Sequence, residues 1–354
     1  MKLFYLFTVR KFVIYSFLIL FGISAYVEAI ETRSTISSDR NTYRIKNLGI
    51  WTFNYSFMRH FKKGVLRGKA SIDPASALQN PDYKKLPYPG SHDCKAETDP
   101  CLLSNIGNSM FMDKHTFSIL FRQTEDLSWT ARFNFLSNSI DMYEQLSTNI
   151  PVSQFTFGTA GIGDVQLLMT NRLTQTKRMD INLTLGVNFP LGSIDETDGI
   201  NDMLGEEGIA PYDMQLGSGT YDIITELSLI GFYYGLKYGF DISLTSPTGL
   251  NNQYYNRGDS LKIKGWSNYT FSFGTQLRVG VVQNVQSPIE GRDERLSDNI
   301  RYSGGKRLDG LVGLGQKFKG FGIFVDYAHP LLQYANGVQM KTTGIVSGNI
   351  EYTY

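Results

Sequence analysis

The chain has 354 residues, a formal net charge of +1, 23 Phe and 21 Tyr but only 3 Trp and 2 Cys. Thirty-five Gly without a three-residue period exclude collagen, two Cys exclude a disulfide scaffold, and a near-neutral aromatic-rich chain speaks against disorder and against a nucleic-acid partner held by phosphate contacts. Mean hydropathy of −0.20, with no long apolar run past residue 27, excludes a bundle of membrane-crossing helices, but not strands that alternate apolar and polar residues.

Residues 1–29 read as a secretory signal peptide. Lys2, Arg10 and Lys11 precede a 16-residue apolar core at 12–27, and Val27-Glu28-Ala29 is the expected cleavage site. Cleavage removes three of the 34 bases and one of the 33 acids, leaving a mature chain of net charge −1. A short periplasmic segment, 30–47, follows.

From residue 48 the pattern has period two. Met179, Ile181, Leu183, Leu185, Val187 and Phe189 alternate without a break against Asp180, Asn182, Thr184, Gly186 and Asn188. Phe232–Leu244 and Leu261–Phe273 behave the same way. Successive side chains of a strand point to opposite faces, so this is the signature of strands with one apolar face. Twelve such runs occur, at about 48–58, 111–122, 127–141, 161–173, 178–190, 218–230, 232–246, 258–273, 275–285, 304–318, 321–330 and 340–354. Most are longer than the roughly 5–6 residues of soluble strands and suit the roughly 9–11 that a tilted strand needs to cross a bilayer.

The connections set the architecture. Tight turns are expected at Gln123–Asp126, Thr174–Lys177, Gly231, Gly274 and Lys319-Gly320. Between them lie long connections, 59–110, 142–160, 191–217, 247–257, 286–303 and 331–339. Strict alternation of long and short links, with an even strand number, is the pattern of an outer-membrane barrel with periplasmic turns and extracellular loops. The sequence therefore predicts an all-β fold, a transmembrane antiparallel up-and-down β-barrel of about 12 strands over 48–354. Its partners would be outer-membrane lipid and, through the alternating Ile350, Tyr352 and Tyr354, the barrel-assembly machinery.

With apolar faces toward lipid, the opposite faces line a lumen. That set contains Arg122, Arg132, Arg172, Lys237, Lys262, Lys264, Arg278 and Lys341, and against them Asp164, Asp180, Asp222, Glu226, Asp241, Asp309, Asp326 and Glu351. Balanced signs predict a lumen laced with ion pairs rather than a field of one sign. Twelve strands fall below the 16–18 that leave a wide aqueous channel.

Other chemistry is thinly supported. Met110, Met112, Met142, His60 and His115 offer soft ligands without tight His/Cys spacing, so no metal and no cofactor is assigned. Cys94 and Cys101 sit six residues apart in the first long connection, beside His92, and predict a disulfide in an oxidising compartment. A lipolytic barrel would need a Ser and an Asn around His329, and no adjacent Ser-Asn-Gly element completes one, so no catalytic residue is assigned.

Three stretches carry a resemblance: GIGDVQLLMTNRL (161–173), LTLGVNFPLGSID (183–195) and DMQLGSGTYDIITELSLIG (213–231). They resemble the outer-membrane transporter family named for the meta-pathway of phenol degradation, and segments 48–58, 110–142, 305–315 and the last strand extend the similarity. The resemblance implies a barrel that moves small, often hydrophobic compounds across the outer membrane, and names no compound. The Met/His-rich segments of relatives are thinned here by Arg59, Phe61, Lys62 and Lys114. The alternatives are a non-transporting structural or adhesive barrel, and the lipolytic enzyme. Deleting Tyr354 is expected to lower the heat-modifiable, membrane-inserted fraction; unchanged insertion would count against the terminal strand as an assembly signal.

Overall fold

The computed structural model describes residues 50–79, 105–144, 153–176, 178–201, 207–233, 236–291, 303–318 and 320–354, all within the compact unit 47–354. The leader 1–29, the segment 30–47 with its continuation to 49, and the Cys94–Cys101 pair lie outside them. No helix among the described residues is long and apolar enough to cross a membrane.

The wall is built from β1 (Trp51–Gly68), β3 (Asn105–Arg122), β4 (Leu127–Glu144), β5 (Ser153–Gln175), β6 (Met179–Phe189), β9 (Asp222–Tyr233), β10 (Leu236–Pro247), β12 (Ser260–Thr270), β13 (Thr275–Gln286), β15 (Gly305–Phe318) and β16 (Phe321–Thr353). Each pairs antiparallel with the next, and β16 pairs antiparallel with β1 to close the barrel. One extra strand, β2 (Ala70–Ile72), pairs with the C-terminal end of β1 and leads into the helix α1 (Pro74–Gln79). The long connections carry short pieces: β7 (Thr197–Asn201) with β8 (Glu207–Ile209), a 3-10 turn at Tyr212–Met214, and β11 (Tyr255–Asn256) with β14 (Glu290–Gly291).

Eleven elements of alternating direction could not close with an antiparallel seam, and the 33-residue β16 resolves the parity. Its residues up to Ala335 pair with β15, while those from Ala335 to Thr353 pair with β1. Thr353 N donates to Gly320 O, which brings the two ends together. β16 is thus two staves that double back around 336–337, and the wall has twelve. Closure leaves no free edge, as a bilayer demands of any strand structure.

All five tight turns are present, but one is displaced. The β9–β10 ladder runs to Tyr233 opposite Leu236, and Gly231 lies within it opposite Tyr238. There a Cβ would sit 2.2 Å from the Tyr238 ring, so the glycine makes room for an aromatic instead of a turn. Gly274, at φ +86°, does occupy a turn. The last long connection, expected at 331–339, is a hairpin continuous with the wall. The doublet Leu331-Leu332 breaks the alternation of the sequence, and the ladder absorbs it with a bulge opposite Leu308 and Asp309. Several strands likewise run on past the expected 58, 111 and 161, because backbone pairing outlasts the lipid-facing pattern.

Candidate functional site

The registers sort every stave into two faces. Trp51, Phe53, Phe117, Phe133, Leu167, Leu227, Phe240, Val281 and Leu314 share the exposed apolar face. The other face is polar, and the site forms there because two connections fold onto it from the long-connection end.

The 190–221 connection reaches furthest. Met214 O accepts from Thr159 Oγ1 of β5 at 2.6 Å and Asn138 Nδ2 of β4 at 3.5 Å, and Asp213 pairs with Lys62 of β1 at 2.6 Å. A segment that leaves the wall at β6 and touches β1 has crossed the lumen. Gln215 knits it internally: its Nε2 donates to Ala210 O at 2.7 Å and Glu196 O at 3.1 Å, and its Oε1 accepts from Glu196 N at 2.9 Å. The 248–259 connection joins it. Arg257 Nη2 donates to Tyr212 O and Gln215 O at 3.3 and 2.9 Å, Asn251 Nδ2 donates to Ser218 O at 3.1 Å, and the Tyr212 and Tyr255 rings meet edge-on at 4.7 Å.

What fastens these loops is Asp164. It stands at a bulge in β5, where Gly163 and Asp164 face the single Asn134 between the pairs Phe133–Val165 and Phe135–Ile162. Oδ1 accepts from Gly192 N at 3.0 Å; Oδ2 accepts from Asn188 Nδ2 at 2.9 Å, Ser218 N at 2.9 Å and Ser218 Oγ at 2.7 Å. Asp222 completes the cluster, accepting from Thr220 Oγ1 at 2.6 Å and Asn188 Nδ2 at 3.0 Å. Gly192 and Gly217 cross backbone to backbone here; a Cβ on Gly217 would come 2.1 Å from Gly192 O. The GIGD, FPLGS and QLGSGTYD stretches therefore form one structure, a clasp between wall and loop.

Around the clasp the interior is divided. A buried apolar cluster contains Met110, Ile140, Met142, Ala210 and Met214, with Met112, Phe155, Phe157 and Met340 against it. His115 is on the opposite face from Met110 and Met112, where its Nδ1 bonds Tyr55 Oη at 2.8 Å, so these residues do not converge on one ligand set. His60 faces inward and bonds Thr342 Oγ1 at 2.9 Å. His329 is on the outer face, its ring nitrogen 3.4 Å from Tyr327 Oη, and among the described residues no Ser or Asn bonds to it.

Two cavities flank the inward loops. One of about 390 Å³ is bounded by His60, Met112, Tyr212, Asp213, Arg307, Gln333 and Met340. The other, about 240 Å³, is bounded by Lys114, Asn134, Leu136, Asp164, Asn188, Leu216 and Arg257. Arg257 and Gln286 belong to both.

The charged set expected from alternation is placed on this inner face by the registers: Arg122, Arg132, Asp164, Asp180, Asp222, Glu226, Lys237, Asp241, Lys262, Lys264, Arg278, Asp309, Asp326 and Glu351. Lys341 falls at the register break between Thr342 and Met340. The expected lacing is sparse. Within the set Arg278 pairs with Asp326 at 3.0 Å, and Asp309 pairs at 2.9 Å with Arg307, which the sequence reading omitted. Asp241 faces Lys264 in register but accepts the Trp266 indole N–H at 2.8 Å instead. Lys237 lies over the rings of Phe232 and Trp266. Arg172 reaches Asp126 in a turn at 3.8 Å. Alternation could have found Lys62 and Lys114, which share the parity of the inward residues; nothing local marks Asp213 or Arg257, which reach the interior through loops.

Two variants test the clasp. Asp164→Ala strands the Gly192 and Ser218 amides, and each hydrogen bond lost to the charged carboxylate costs about 1.5–3 kcal/mol. The wall ladder does not involve that side chain, so the expected outcome is an intact heat-modifiable barrel with higher single-channel conductance; unchanged conductance would show the loop is held otherwise. Lys62 holds the Asp213 carboxyl below its ordinary value of 3.8, although two-thirds of that side chain is open to the cavity. A depressed carboxyl stabilises the folded loop above pH 3.8 and loses that contribution only as pH falls further. Conductance should be flat from about pH 8 to 5 and rise below about 4, and Asp213→Asn should show the acid behaviour at neutral pH.

No protein-family model matches the chain, and no curated protein matches it. Among solved structures, an outer membrane channel from Pseudomonas putida F1 aligns over 91% of this chain and 100% of its own, at 10% identity and a TM-score of 0.55. A toluene transporter from Ralstonia pickettii, TbuX, aligns over 86% and 89% at 10% identity with a TM-score of 0.39, and a FadL homologue from Pseudomonas aeruginosa over the same shares and identity with a TM-score of 0.38. The likeness to the first establishes the fold: this chain is an outer-membrane-type β-barrel.

Proposed function

We propose that this chain is an outer-membrane transporter or narrow channel for small, largely hydrophobic molecules, and a member of the meta-pathway family that its sequence resembles. The observation that carries the reading is an apolar, Met-rich interior beside cavities of about 390 and 240 Å³, inside a closed barrel whose lumen is entered by inward loops. Met and aromatic surfaces adapt to compact apolar solutes of varied shape, and the volumes are those of small-molecule sites. The chain is placed in the outer membrane after signal cleavage, with its tight turns periplasmic, its long connections extracellular and its last strand read by the assembly machinery. The signal-like leader and the alternation of connection lengths support that placement.

The same loops favour the second reading, a non-transporting structural barrel, since they obstruct the mouth. The cavities beside them weigh against it. Flux of benzyl alcohol into lipopolysaccharide-containing vesicles separates the two. A rate above protein-free vesicles, with a trisaccharide excluded, is expected; no difference from protein-free vesicles would overturn transport.

A further inference from the structure

The inner charges are balanced in number but not in partnership. Asp164 and Asp222 both face the 240 Å³ cavity, and their oxygens are occupied by the clasp. Lys114, on the same cavity, makes no hydrogen bond or ion pair among the described residues, and neither do Lys262 and Lys264. Arg257 spends Nη2 on two loop carbonyls, while its Nε is buried without a partner. β3 and β12, which carry Lys114 and Lys262, have five staves between them in either direction, so these lysines face each other across the lumen. Lys114 lies in electrostatic range of Arg132, Lys262 and Arg257, with Asp164 the opposing carboxylate. Glu226 opposes Arg132 and Asp213 lies in range of Arg257, so the bases left without a bonded partner in this confined space are Lys114 and Lys262, and charge acts more strongly there than in water. Leu136, Leu216 and Pro247 give the cavity an apolar patch within a lining that is otherwise largely polar, with Asn134, Gln166 and Gln286 among it.

We propose that the cavity between Lys114 and Arg257 binds a small organic anion, a monocarboxylate with a compact apolar body. The carboxylate accepts from the Lys114 ammonium beside the positive guanidinium of Arg257, and the body lies against Leu136 and Leu216. Such a solute would be held by charge at one end and by apolar contact at the other, which a neutral hydrocarbon would not exploit. The inference deepens the transport reading and rests on it for the direction of traffic, while binding itself can be measured without flux.

The test is calorimetric titration of the full-chain protein in detergent with benzoate and its neutral isostere benzamide. Benzoate should bind at least about tenfold more tightly, and Lys114→Met should weaken it by about tenfold, as loss of one charge-assisted hydrogen bond implies. Lys237→Met, elsewhere on the inner face, should change nothing. If Lys114→Met does not fold, Lys262→Met decides, with a smaller loss expected from its more distant charge. Equal affinity for benzamide, or no effect of either lysine, overturns the anion site. Absence of benzoate binding with benzyl alcohol flux retained overturns this inference and leaves transport standing. Benzoate binding without any flux upholds the site and overturns transport instead.

Discussion

The carboxylate of Asp164 is where the wall of this barrel meets its contents. Four donors converge on two oxygens, and they come from β6, from both ends of the 190–221 connection and from the Ser218 side chain. A charged acceptor that fully satisfied is stable where an isolated one would be costly. Without it the amides of Gly192 and Ser218 would lose their acceptor, and the loop would keep only its contacts to Thr159, Asn138 and Lys62. Everything further in depends on this entry: the Asp213–Lys62 pair, the Tyr212–Tyr255 contact and the position of Arg257.

The wall obeys a separate rule. Backbone groups at membrane depth must find partners within the protein, so strands pair until the sheet closes. Antiparallel closure demands an even number, and β16 supplies it by folding back on itself. Once closed, the barrel leaves its Phe, Tyr, Leu and Val side chains exposed, such as Phe117 at 53% and Leu314 at 60%, because lipid takes the place of a core. The negative mean hydropathy follows from averaging each of these with an inward polar neighbour. Buried apolar packing is confined to the interior cluster around Met110, Met142 and Met214, where loops supply the second layer.

Much of the wall was legible because its signal is local. The twelve runs of alternation correspond to twelve staves, and strands such as β6 match within a residue. The errors sit where local pattern and pairing diverge. Gly231 looked like a turn because glycine favours turns, yet it makes space for Tyr238. Leu331-Leu332 looked like the end of a strand because alternation failed, yet a bulge carried the ladder past it. The lumen charges were assigned to a face by parity, but partnership did not follow from number. Asp241 chose an indole and Asp309 chose Arg307, since reach and geometry rather than charge count decide which groups meet.

By itself the sequence determined a closed antiparallel barrel with a polar inner face and an apolar outer one, because each residue's face follows from its own position in the strand. Only the tertiary structure decided that the three glycine-rich stretches are one clasp, that Lys62 faces Asp213 and that Lys114 and Arg257 share a cavity. Those contacts join residues 50 to 150 positions apart through loops without periodicity, and no local pattern encodes where such a loop comes to rest.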